Sequence, residues 1–222
     1  MRFFHGLLLT FGSFITIILF TLYQPFYFEF ENKTYDIRYG FRVDKRPFED
    51  IVIVDIDVKS LQKLGRFQNW PRSYFAKVIR SLDNVKILGV DIFWGEADSL
   101  TRQMKEAVGL RLDSLKLPKE EVFSILSFDQ DLASAIKDNN KVILVASFEE
   151  GKSIEPLDIF KREARNVGLG SVVPDLDGVV RRATPIYKLS DDKIYPNFAY
   201  VVAASVAENL AIDSNRIYYI NY

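Results

Sequence analysis

Three hydrophobic patterns divide the chain. From Phe3 to Tyr23 there is no charged residue, and Phe, Leu, Ile and Thr dominate. At about 1.5 Å per helical residue such a run matches the ~30 Å hydrocarbon core of a bilayer. It predicts a transmembrane helix over 1–23. A cleaved signal peptide would have a shorter apolar stretch and a small-residue exit; this run leaves through Phe20-Thr21-Leu22-Tyr23-Gln24-Pro25. Residues 24–50 read as a polar, partly helical connector broken by Gly40 and Pro47. Residues 51–222 alternate short apolar runs with three- and four-residue periodicity.

Within that third part, Ile51–Asp57 is a continuous apolar run ending in two acids, the pattern of a strand covered on both faces. Ser60 starts a short helical turn ending at Gly65. Pro71 suits a first helical position, and Tyr74, Phe75, Val78, Ile79 and Leu82 then form one apolar helix face. Ile87–Phe93 predicts a second strand. Leu100–Leu117 is a charged, weakly helical stretch stopped at Pro118; Leu132–Ile136 marks another helix and Val142–Phe148 a third strand. Strand, helix, strand, helix, strand implies a mainly parallel α/β sheet with flanking helices. After Gly168–Val173, Asp175-x-Asp177-Gly178 reads as the turn of a β-hairpin running into Val179–Leu189. A helix follows over Asn197–Asn209 and a strand over Ile217–Ile220.

Composition narrows the chemistry. Net charge is −1, which offers no electrostatic footprint for nucleic acid. The chain has no cysteine, and its one histidine, His5, lies in the apolar N-terminal run. Disulfides, thiolate zinc sites, a cysteine nucleophile and a Ser-His-Asp triad are thereby excluded. Arg2 flanks the N-terminal end of the apolar run and Glu29 and Glu31 the other end, which orients the N-terminus to the cytoplasm and the remainder outside.

Candidate motifs weaken on inspection. Ala146–Ser153 fits a loose phosphate-binding loop, but it carries one glycine and two carboxylates, and Pro156 stands where the capping helix should begin. Val54-Asp55-Ile56-Asp57 resembles the opening motif of haloacid-dehalogenase-like phosphatases, in which the first Asp is the nucleophile and the second the acid/base. Lys59 departs from that pattern, no Ser or Thr ends Val90–Phe93, and the late acidic pair would have to be Asp191-Asp192, in a polar loop and not at a strand end. Asp175 and Asp177 lack the further ligands of a calcium loop. Arg181 and Arg182, if on a strand, point to opposite faces and pair with nearby carboxylates rather than clamp one anion.

Taken in order, the pieces resemble a type-two CHASE domain, an extracytoplasmic sensor module of bacterial signalling proteins. They are the membrane helix, Asp36-Ile37-Arg38, Ile51–Asp57 with Ser60-Leu61, Leu64-Gly65-Arg66, Trp70-Pro71-Arg72, Gly89-Val90-Asp91-Ile92-Phe93, Leu132-Ala133, Val142–Val145, Gly168, Asp175–Arg182, Pro196 with Phe198-Ala199, and Ile220-Asn221-Tyr222. The resemblance implies no catalysis by this chain, no cofactor and no metal. It implies a small-molecule or envelope signal, a membrane, and a cytoplasmic output such as a nucleotide cyclase, protein kinase or histidine kinase. It also implies a further strand, a helix and about three membrane helices beyond Tyr222, so the chain is expected to be a fragment or a form completed by another polypeptide. A homodimer is expected, and an assembly module without ligand is the alternative to both sensor and phosphatase. Asp55, Asp57 and Asp91 are expected to meet at adjacent strand ends and, with Arg72, to form a ligand pocket or its polar scaffold.

Overall fold

The structure, a computed structural model, describes residues 2–41, 49–116, 118–149, 152–188, 194–207 and 218–219. It separates into two compact units, Met1–Val54 with Tyr222 and Asp55–Asn221. The first is built on α1 (Arg2–Gly40), so the helix continues through most of the expected connector and ends at the glycine where a break was predicted. Pro47 lies outside the described residues. No single described helix is long and apolar enough to cross a membrane. Leu9–Tyr23 and Tyr27–Gly40 meet that requirement together, as two arms bent by 56°.

Ile51–Asp57 is not a strand. It runs without a ladder partner, and Ile51 to Val54 are 64–85% exposed. An apolar run becomes a buried strand only where neighbours accept its N–H and C=O groups and cover its side chains, and no described strand or helix does so here.

The second unit is a mixed α/β fold. After α2 (Val58–Leu64), a 3-10 turn (Phe67–Asn69) and α3 (Arg72–Ser81) comes β1 (Leu88–Val90), shorter than the predicted Ile87–Phe93. Then follow α4 (Ser99–Leu115), α5 (Glu120–Ile125), α6 (Phe128–Asn139) and β2 (Val142–Glu149). β2 is the centre of the main sheet. Its first half pairs in parallel with β1 and with β4 (Asn166–Leu169); its second half pairs antiparallel with β3 (Lys152–Ile154). That β2–β3 hairpin occupies the loose phosphate-loop motif, so no helix follows there to cap a phosphate.

Period-two alternation sends β2 residues to opposite layers. Val142 and Leu144 join a core with Ala76, Ile79, Trp94, Leu132, Ala135, Ile136 and Phe160, the last from α7 (Asp158–Lys161). α3 contributes Ala76 and Ile79 to this core, while Tyr74 and Val78 of the predicted face are exposed. On the other layer lies α8 (Phe198–Val206), whose N-cap Asn197 accepts from the Ala199 and Tyr200 N–H groups. Gly168 permits this packing: a Cβ there would stand 2.5 Å from Phe198 Cα. The predicted end of α8, Asn209, lies outside the described residues.

The predicted hairpin is displaced. The turn at Asp175–Gly178 forms, with the Gly178 N–H donating to Asp175 O at 2.9 Å and Gly178 at φ 80°, but β-ladders do not flank it. β5 (Arg182–Ala183) pairs instead with β8 (Tyr218–Tyr219), and the hairpin proper is β6 (Ile186–Lys188) with β7 (Ile194–Pro196). The ion pairs of this turn, described below, take the place of a ladder. The sheets are thus of mixed orientation.

Candidate functional site

Arg72 opens α3, directly after Pro71, whose fixed φ of −64° suits a helix entry. Its guanidinium lies 5.2 Å from the centroid of the buried Phe160 ring, a cation–π distance. It donates to Asp129 Oδ1 at 2.5 Å and also to the Glu96 carbonyl. Asp129 sits in the first turn of α6, where a carboxylate is favoured by the helix dipole. Its other oxygen accepts the Asp98 N–H at 3.2 Å, and Asp98 in turn accepts from Thr101 Oγ1 at 2.7 Å across the first turn of α4. One chain of polar contacts thus ties the N-terminal ends of α3, α4 and α6. Behind it runs a chain of aromatic contacts, Phe67–Phe75–Trp94–Phe160, with centroids 5.7–5.8 Å apart.

From Asp98 and Asp129 a shallow, open groove of about 770 Å³ extends along α4 towards α5. Ala97, Gly109, Leu110 and Phe123 give it apolar walls. Gly109 allows the close approach of Phe123, whose ring edge would lie 3.2 Å from a Cβ there. Lys105 stands 5.8 Å from the Phe123 ring centroid and donates to Ser127 Oγ at 3.2 Å. Lys119 and Asp113 pair at 2.6 Å at the far end. Arg102 and Glu106 also line the groove, and among the described residues no ion pair engages either. The arrangement suits a small ligand with an apolar part and ionised groups.

The other predicted site residues lie elsewhere. Asp57 caps α2, accepting from the Ser60 N–H at 2.8 Å and Ser60 Oγ at 2.7 Å. These bonds, the side-chain one first, hold its carboxyl below the ordinary carboxylate range. Asp55 is exposed in the unpaired segment and Asp91 is exposed just past β1. Among the described residues no three Asp, Glu or His side chains are placed to hold a metal. Asp191-Asp192 lies outside the described residues. Of the predicted residues only Arg72 belongs to this cluster, and Asp129, Asp98 and Lys105 are marked by none of the patterns read from the sequence.

A second polar cluster closes the Asp175–Gly178 turn. Arg181, 3% exposed, donates to Asp175 at 3.0 Å and to both Asp177 oxygens at 2.9 and 2.7 Å, while Arg182 reaches the other Asp175 oxygen at 2.5 Å. Both arginines therefore hold the same carboxylate. The expectation of opposite faces fails because Arg181 precedes β5 and is free of strand alternation; the expected pairing with carboxylates is what the turn shows.

The family model of the CHASE2 domain matches residues 13–222. The chain belongs to the CHASE2 family. No curated protein and no solved structure matches it. CHASE2 domains are extracytoplasmic sensory modules of signalling proteins and are not catalytic. The phosphatase reading also lacks its context in this CHASE2 domain, since Asp55 and Asp57 do not end a strand.

Proposed function

We propose that this chain is the membrane-anchored sensory part of a bacterial signal-transduction protein. The apolar segment to Tyr23 is its anchor, the N-terminus is cytoplasmic, and residues 51–222 lie outside. The α4–α5 groove takes a small amphipathic, ionised signal molecule, and Arg72 holds Asp129 as the polar scaffold beside it. A cyclase, protein kinase or histidine kinase elsewhere in the same protein provides the output. The observation that carries this reading is the CHASE2 match over residues 13–222.

A ligand that binds the folded state alone raises stability by about 2.7 kcal/mol at one hundred times its Kd. Screening amino acids, carboxylates and short peptides against the detergent-solubilised chain should give a compound that raises Tm. Lys105→Ala should abolish that shift while leaving the ligand-free Tm in place. A shift untouched by Lys105→Ala, or none across the library, overturns the groove assignment. A reporter enzyme fused after Tyr222 should report the exterior; a cytoplasmic signal overturns the topology.

A further inference from the structure

The two arms of α1 differ in composition. Leu9–Tyr23 carries no charge, whereas Tyr27–Gly40 carries five ionised residues, Glu29, Glu31, Lys33, Asp36 and Arg38. Placing five charges in hydrocarbon is costly, so the second arm is not itself a span. It is amphipathic all the same. Phe20, Tyr23, Tyr27, Phe30, Ile37 and Phe41 recur at spacings of three, four and seven, which keeps them on one helix face. All six are more than half exposed in the structure. Glu29 and Asp36 fall opposite this face, Lys33 on one flank, and Glu31 and Arg38, paired at 3.4 Å, on the other; Phe28, Tyr35 and Tyr39 lie on the far side.

The second observation is a groove at the 56° bend between the arms. Phe20 and Tyr23 from the first arm and Tyr27 and Phe30 from the second line one groove of about 250 Å³. The aromatic face is therefore the inner corner of the bend. The sequence supplies the cause. A proline inside a helix, here Pro25, has no N–H for the carbonyl four residues earlier, and such helices bend away from the proline. At about 100° per residue, position 25 lies roughly opposite the centre of the aromatic face.

We infer that the second arm lies on the outer leaflet of the bilayer, its aromatic face turned down into the interface by the Pro25 bend. This rests on the reading of the first arm as the anchor. A helix that leaves a membrane and bends towards its own apolar face brings that face back onto the surface it left. At 56° the second arm runs more along the bilayer than along its normal. Tyr and Phe at headgroup depth, with charges facing water, are what that interface favours. A straight two-chain coiled coil through the same face is incompatible with the bend.

The chain has no cysteine, so a single introduced one reports alone. Nitroxide labels on Ile17→Cys, Phe30→Cys, Asn32→Cys, Asp36→Cys and Ile37→Cys are read in the full chain, in phosphatidylcholine–phosphatidylglycerol vesicles, by accessibility to oxygen against a nickel chelate. Positions 17, 30 and 37 should favour oxygen, and 32 and 36 nickel. Pro25→Ala should turn position 37 to the nickel side. Nickel access at 30 and 37 with oxygen access at 17 overturns the inference and leaves the anchor standing; nickel access at 17 overturns the anchor itself. Spin broadening at 30 and 37 that disappears on dilution with unlabelled chain assigns the face to a second copy and overturns the lipid surface. Unchanged access at 37 in Pro25→Ala removes the bend as the cause.

Discussion

Ile51–Val54 and Val142–Val145 are both runs of four aliphatic residues, and they meet opposite fates. The second is at most 6% exposed; the first is 64–85% exposed. The difference lies in their partners, not in propensity. Val142–Val145 has β1 on one edge and β4 on the other, α6 with Leu132, Ala135 and Ile136 on one layer and α8 on the opposite one. Ile51–Val54 has no ladder partner among the described residues. Strand propensity of this kind expresses fit to a pleated, covered surface, and without the surface the same letters leave an extended, solvated chain.

Truncation breaks or confirms the comparison most directly. Leu144→Ala empties a fully buried position and should cost about 2–5 kcal/mol by denaturant midpoint. Ile53→Ala removes atoms already in water and should stay within about 0.5 kcal/mol. Equal losses would mean that Ile51–Val54 is covered in solution. Adding volume sharpens the same contrast. Gly168→Ala sets a Cβ against the backbone of Phe198, 2.5 Å from its Cα and 3.0 Å from its N. Neither atom is the end of a flexible side chain, so α8 must shift, at about 1–3 kcal/mol. Ile53→Phe adds far more volume in the open run and should be close to neutral. A neutral Gly168→Ala would show that α8 does not sit directly on β4.

What could be read from the sequence follows the same logic. β2 was legible within one residue because its run is apolar and bounded by Asn140 on one side and glutamates on the other. α3 was legible through Pro71 and the three- and four-residue spacing, though its buried face is rotated: Ala76 is fully buried and Tyr74 is not. Ile51–Asp57 was misread because period and propensity do not report whether a neighbour exists. Of the candidate site, only Arg72 stands out in the sequence, within Trp70-Pro71-Arg72. Its partner Asp129 lies 57 residues further on, and no local pattern joins positions so far apart. The groove of Lys105 and Phe123 depends on how two helices pack, which spacing alone does not give.

The Asp175–Gly178 turn lies between the two extremes, and its test has the smallest expected effect. Val173 and Leu176 are as open as Ile51–Val54, yet this loop is held by Arg181. The Arg181 hydrogen bonds, helped by the Val179 N–H, bring the Asp177 carboxyl down from 3.8 to about 2. A carboxyl lowered in the folded state binds protons less readily there than in the unfolded chain. Its contribution is therefore complete above the unfolded value of 3.8 and is lost as pH falls through about 2. Asp177→Asn removes the charge but keeps an oxygen for the Val179 N–H. It should lower Tm slightly and by a constant amount between about pH 5 and 8, and the gap to wild type should close as pH falls towards 2. Asp177 is 44% exposed at its side chain, so solvent screens the pair and the gap stays small. A gap that persists undiminished at the acid end would show that Asp177 acts through the shape of the turn and not through its charge on Arg181.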